Sequence, residues 1–307
     1  MFKFNAKFLL VLLLIVALMA GCTAKVEEPQ PTKEQKPAQQ QADEKTKEEY
    51  AHPESLISAK ELKEIMDDEN VVIVGVMVKG KYIPGSVNLK EKDFNTELNG
   101  VPDMRPTPEI WVQALSNYGI DNDDTIVLYD TKNMLLSARV WWIFKYYGHE
   151  NVKILNGGIN AWKNAGFNTD STPAERKASS YEIKGENPDV LATLDTIKTS
   201  YDNENIITLD TRSEKEWKKG RIPGAVWVEW TNAISEDGTF KSASELKALY
   251  EGKGVTADKD LIMPYCLGGW RAANSMFVLS ELLGYENVKN YDGSWAEFGE
   301  SGEPIEK

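Results

Sequence analysis

Cys266 is followed by Leu267, Gly268, Gly269, Trp270 and Arg271, an order of residue types that suits a nucleophilic thiol. The apolar run at 261–263 ahead of it reads as a short buried strand, and segment 272–283 after it reads as a helix. In open α/β sheets, ligands bind at such loops beyond the carboxyl ends of strands. The glycines let the loop curl so that several amide N–H groups converge, and the helix start adds its positive end. Arg271 adds a full positive charge. Together these groups favour thiolate over thiol: a free cysteine titrates near ~8.5, and one at a helix start or beside arginine falls to roughly 3.5–7.5. The same cradle suits an anionic substrate. A buried structural cysteine is the plainer reading, but Gly-Gly-Trp-Arg makes poor core sequence.

The elements that must position this loop follow from an internal repeat. Residues 148–162 (GHENVKILNGGINAW) echo 284–298 (GYENVKNYDGSWAEF), with the shared Glu-Asn-Val-Lys 136 positions apart. Earlier, Ile83-Pro84-Gly85-Ser86-Val87 matches Ile222-Pro223-Gly224-Ala225-Val226 at an offset of 139. Two matches in the same order point to a duplicated domain of about 125 residues. In the first copy, 71–74, 126–129 and 152–155 have strand character and 138–147 is helix-like. In the second, the equivalents are 206–209, 261–263, 288–291 and 272–283. Short buried strands alternating with helices indicate an α/β fold, each copy a mainly parallel central sheet flanked by helices. The expected organisation is a first domain over 51–168, a linker over 169–188 rich in Ser, Thr, Pro, Lys and Glu, and a second domain over 189–307.

Cys266-x-x-Gly269-x-Arg271 resembles the active-site loop of rhodanese domains. Asp210-Thr211-Arg212, followed by Gly220-Arg221-Ile222-Pro223-Gly224-Ala225, resembles the early motif of that family, with Arg221 where histidine is usual. Asn290-Tyr291-Asp292-Gly293-Ser294-Trp295 resembles its closing motif. The likeness spans about 55–304 and so covers both copies. It implies a sulfurtransferase with no cofactor, in which Cys266 takes sulfane sulfur from a small anionic donor such as thiosulfate and carries it as a persulfide. A thiol, a protein thiol or a cyanide-like nucleophile then accepts that sulfur. Ping-pong kinetics follow from such a covalent intermediate. Arg271 would activate the thiol, and the Asp210–Arg212 pair would support the loop, with Glu216 in the same network. Leu267, Gly268, Gly269, Trp270 and Glu216 would line the donor site. Trp270 either walls that pocket or packs on the other domain. Phosphatases resembling this fold place five residues between Cys and Arg. Here there are four, Leu267 to Trp270.

The first copy reads as noncatalytic. Aligning the repeat sets Asp130 on Cys266, and a carboxylate cannot carry a persulfide; Gly75 falls roughly where Asp210 should match. The resemblance gives this domain the role of one wall of the cleft. Trp111, Trp141, Trp142 and Trp162 are expected in the core and the seam between domains. His52 and His149 form no ligand-spaced cluster, so no metal site is expected.

Composition narrows the remaining options. The chain has 307 residues, 41% of them hydrophobic, and a net charge of -13 that repels nucleic acid. Lys3 and Lys7 precede an apolar run at 8–21 that is shorter than the about 20 residues of a spanning helix, as in an export signal. Leu18-Met19-Ala20-Gly21-Cys22 resembles a bacterial lipoprotein signal. That resemblance implies cleavage after residue 21, a lipid on Cys22 and a membrane-anchored, extracytoplasmic protein. An uncleaved anchor or a plain secretory peptide would also put the domains outside the cytoplasmic membrane. Residues 22–50, almost without apolar side chains, read as a flexible tether.

Overall fold

The computed structural model describes residues 49–307, so the export signal, Cys22 and nearly all of the tether lie outside the described residues. The protein is built of two similar α/β domains, each with a mainly parallel sheet between helices.

The first contains β1 (Leu56–Ile57), α1 (Ala59–Ile65), β2 (Val71–Val76), β3 (Val87–Leu89) and α2 (Glu91–Phe94). A hairpin of β4 (Thr96–Leu98) and β5 (Val101–Met104) follows, then α3 (Pro108–Asn117), β6 (Thr125–Tyr129), α4 (Leu135–Tyr146), β7 (Val152–Leu155) and α5 (Gly158–Asn164). Its sheet order is β1-β7-β6-β2-β3, all parallel. Strand β2 is buried at all six positions, as befits a sheet covered on both faces.

The second domain has β8 (Leu191–Ala192), α6 (Leu194–Lys198), β9 (Ile206–Asp210), α7 (Glu214–Trp217) and β10 (Val226–Trp227). These are followed by α8 (Ala243–Glu251), β11 (Leu261–Tyr265), α9 (Trp270–Phe277), β12 (Asn290–Tyr291) and α10 (Ser294–Phe298). Here β10-β9-β11 and β12-β8 are both parallel, and a parallel bridge between Ile262 and Val288 joins them. The resulting order, β8-β12-β11-β9-β10, repeats that of the first domain. Asp130 and Cys266 therefore follow equivalent strands, β6 and β11.

Several segments differ from the sequence-based expectation. The strand expected at 261–263 runs on through Pro264 and Tyr265, paired with Leu209 and Asp210. Beyond the Ile262–Val288 bridge this strand has β9 as its paired neighbour, an edge-like setting that tolerates a proline. The helix expected at 272–283 begins two residues earlier, after Gly269 in a left-handed conformation, and loosens into a π-turn over Val278–Leu282. The Ser280 hydroxyl donates to the Met276 carbonyl there, a back-bond that competes with the helical ladder. The segment expected to be a linker is a strap on the first domain. Tyr181 is buried, and the amides of Ser179 and Tyr181 donate to the Ser116 carbonyl and hydroxyl. Tyr50, assigned to the tether, is likewise part of the fold: its ring is buried and its hydroxyl donates to the Lys241 carbonyl at 2.8 Å.

The two domains meet mainly through α4 and α9, which face each other across the seam. Trp141 meets Phe277 edge-on at 5.0 Å, and all four of Trp111, Trp141, Trp142 and Trp162 are buried.

His149 ties a titratable side chain to the strap. It lies between the Asp124 carbonyl (2.9 Å from Nε2) and the Tyr181 hydroxyl (3.1 Å from Nδ1), and burial holds its pKa below the ordinary 6.5. Below that ordinary value the unfolded chain takes up a proton that the folded chain resists, so acid favours unfolding. Urea-unfolding free energy should decline as pH is lowered from about 7 to about 5. His149→Gln should flatten that slope, and an unchanged slope would show that His149 does not set it.

Candidate active site

The loop from Cys266 to Arg271 is clamped at its start from β9. The Tyr265 carbonyl accepts both the Thr211 amide (3.0 Å) and the Thr211 hydroxyl (2.9 Å). One side chain then organises the turn. The Ser294 hydroxyl oxygen accepts the amides of Cys266 and Gly269, each at 3.0 Å, and donates to the Tyr291 carbonyl at 2.7 Å. Ser294 is fully buried and has a φ of 47°, a left-handed conformation rare for a residue with a side chain.

Not every loop amide converges on the sulfur, as the glycines alone would suggest. Two are taken by Ser294. The amides of Leu267 and Gly268, with those opening α9, remain as the donors for an anion. Cys266 itself is buried at 1% exposure, while Leu267 at the outer turn of the loop is 49% exposed. The thiol thus lies at the bottom of a short polar loop that reaches the surface one residue later.

Arg271 bears on two groups. Its Nη1 and Nη2 form a two-pronged ion pair with Glu216 at 2.7 and 2.8 Å, and its guanidinium lies near enough to Cys266 for the sulfur to favour the positive charge. Burial opposes the charge on Arg271, but Glu216 and Cys266 outweigh it and raise its pKa further. In return the Arg271 hydrogen bonds hold Glu216 down at about 2. Glu216 Oε2, which Arg271 Nη1 reaches, also accepts the Ser213 hydroxyl and amide. It therefore supports the arginine, whereas the sequence placed it with the substrate-lining residues.

Asp210 and Arg212 are both buried and tightly paired, Nη2 to Oδ2 at 2.6 Å and Nε to Oδ1 at 3.0 Å. Arg212 also donates to the Gly220 carbonyl at 2.8 Å and stacks over Trp295 at 4.3 Å. Asp210 accepts the Tyr265 hydroxyl. The pair thus holds the strand ends and the segment after α7 together beneath the loop, and its link to the loop runs through Tyr265.

Residues of the first domain cover the other side. Trp270 lies 5.7 Å from Phe94, so it packs on the other domain. A Cβ on Gly268 would come within 2.5 Å of the Asp103 Cβ, so only glycine fits there without a shift. Asp103, Arg105, Arg139, Asp292, Thr211 and Ser294 all bear on the loop and were not singled out from sequence. Asp292 and Ser294 sat inside the closing motif, and Thr211 inside the early one. The three from the first domain carried no local signal.

In the first domain the equivalent loop is closed. The buried Asp130 carboxylate accepts the amides of Lys132 (2.6 Å), Met134 (3.2 Å) and Ser137 (2.7 Å). Burial raises its pKa against these bonds. Its own side chain occupies the amide nest that an anion would need.

A repeated parallel α/β domain with one cysteine-bearing loop and one self-filled copy defines a tandem protein with, among the described residues, a single thiol site. The rhodanese-like domain family matches residues 58–165 and 193–301, and the chain belongs to the rhodanese family. Its relatives mark it as a sulfurtransferase of that fold in general. It is 36% identical over 289 residues to the "Sulfur carrier protein TtuD" of Thermus thermophilus, covering 84% of this chain and 98% of that protein. It is 39% identical over 245 residues to a "Putative thiosulfate sulfurtransferase" of Saccharopolyspora erythraea, covering 74% and 85%. Among solved structures, SseA from Escherichia coli, described as a 3-mercaptopyruvate sulfotransferase, superposes with a TM-score of 0.70 at 26% identity, over 78% of this chain and 98% of that one. An anaerobic ergothioneine biosynthesis enzyme from Chlorobium limicola shares the fold, with a TM-score of 0.73 at 22% identity over 84% and 71%.

The Arg271–Glu216 pair carries a pH signature. The Glu216 carboxyl is depressed from its ordinary 4.5 to about 2, so its contribution to stability is complete above 4.5 and is lost as pH falls through about 2. Between those values the unfolded chain binds the proton and the folded chain does not. Glu216→Gln should lose part of the acid-range slope of stability against pH. A slope identical to wild type in urea melts across this range would remove the pair from that role.

Proposed function

We propose that this protein transfers sulfane sulfur through a persulfide on Cys266. The observation that carries the reading is the placement of a thiol beside the Arg271 guanidinium and the open amides of a strand-to-helix loop. In the first half-reaction the Cys266 thiolate attacks the outer sulfur of thiosulfate. The new S–S bond forms as the old one breaks, and sulfite leaves with the electron pair. In the second, a nucleophile such as cyanide or a thiolate attacks the outer sulfur of the persulfide, and the Cys266 thiolate is released. The amide donors and Arg271 stabilise the negative sulfur in both resting forms.

Incubation with thiosulfate and cyanide should yield thiocyanate with ping-pong kinetics, and donor alone should leave Cys266 heavier by one sulfur atom. Cys266→Ser should give neither product nor adduct. A wild-type protein that forms no thiocyanate and no adduct with any sulfane donor would overturn the reading.

We further propose that the chain is exported and anchored by lipid on Cys22. Its support is the sequence 18–22, the short apolar run before it and the polar stretch after it. The full chain expressed in a bacterium should partition into detergent, and Cys22→Ser should move it to the aqueous phase. Equal partition of the two would exclude the lipid.

A further inference from the structure

We propose that the first domain positions the catalytic loop of the second through a buried ion cluster, with Arg139 and Arg105 as positioning residues acting on Asp292. This inference rests on the sulfur-transfer reading only for the reaction it tunes; the positioning itself concerns the Cys266 loop.

Asp292 is fully buried, and its carboxylate is shared between two arginines, both supplied by the first domain. Arg139 Nη1 donates to Oδ1 at 2.6 Å, and Arg139 is itself fully buried. Arg105 donates to Oδ2 from its backbone amide at 3.0 Å and from Nη1 at 3.2 Å. Arg139 also donates to the Asp103 carbonyl at 3.1 Å, tying the β4–β5 hairpin into the cluster.

The cluster presses directly on the loop. A Cβ on Gly269 would sit 2.9 Å from the Asp292 carbonyl and 3.0 Å from both Arg139 Nη1 and Asp292 Oδ1. Gly269 has a φ of +76° and caps α9, so its place sets where the open amides point. Two residues beyond Asp292 stands Ser294, which holds the Cys266 and Gly269 amides. Wherever the two arginines fix Asp292, Ser294 and the loop follow.

The mirror contact separates positioning from mere docking. Asn156 occupies the equivalent place in the first domain, and its Oδ1 accepts the Phe240 amide of the second at 3.0 Å. A neutral side chain serves to join the domains on that side, where Asp130 fills its own nest. Among the described residues, two arginines on one carboxylate appear only on the side that holds the working thiol. Buried ion pairs seldom stabilise more than apolar packing would, and their best-attested use is to specify one arrangement.

The test uses the full chain with Arg139→Met, Asp292→Asn, the double variant and Asn156→Ala. The double variant removes the buried charges together and so tolerates their loss best. Arg105→Gln, at a partly exposed side chain, is the mildest member of the series. The readouts are the pH profile of Cys266 alkylation by iodoacetamide and the thiosulfate-to-cyanide transfer rate. In the cluster variants the alkylation midpoint should move to higher pH and transfer should fall about tenfold or more. Asn156→Ala should lower the melting temperature and leave both readouts at wild-type values. Wild-type alkylation and transfer in the folded cluster variants, or an equal loss in Asn156→Ala, would overturn the proposal. Absence of sulfur transfer in the wild type would count against the reaction alone, because alkylation still reports the loop.

Discussion

A cysteine buried to 1% exposure can act as a nucleophile only if the backbone around it is held by something polar, and here that is the hydroxyl of Ser294. It accepts hydrogen bonds from two loop amides and donates its own to the Tyr291 carbonyl. A left-handed conformation at a non-glycine residue costs on the order of 1–3 kcal/mol and persists where the surroundings over-determine it. Three hydrogen bonds and full burial supply that here. Thr211 clamps the carbonyl just before the cysteine, so the loop is held at its entrance and across its turn.

Charge at the site is balanced rather than accumulated. Arg271 faces the thiol, but its guanidinium also grips Glu216 with two bonds. A carboxylate held at about 2 stays ionised through the working range and keeps the arginine oriented. The cation therefore acts as an aligned donor as much as a free positive charge. Backbone amides and the start of α9 carry the rest of the anion-holding capacity, and dipoles fixed by the fold need no reorganisation when the sulfur charge shifts.

Duplication produced two copies of one architecture with opposite fates. Asp130 and Cys266 follow equivalent strands, each ahead of a loop that opens a helix. The carboxylate of Asp130 fills its own amide nest, and the loop around it is a structural turn. Cys266 has no carboxylate to do the same, and two of its loop amides go to Ser294 instead. The first copy contributes Phe94, Asp103, Arg105 and Arg139 to the environment of the second.

The amino-acid order alone determined the repeat, the parallel α/β class, the thiol and its arginine, and the identity of the filled copy. These rest on local signals: apolar runs bounded by turns, two glycines after a cysteine, and an aspartate where its twin has sulfur. Tertiary structure alone decided how the site is held. Glu216 binds Arg271 across 55 positions, and Arg139 reaches Asp292 across 153, separations at which no spacing rule operates. Ser294 stood in view within its motif, but which amides its hydroxyl takes depends on a left-handed turn that appears only once β12 and α10 are packed. Pairings across a domain seam are chosen by the docking of whole sheets and helices, and that choice is written in no short stretch of chain.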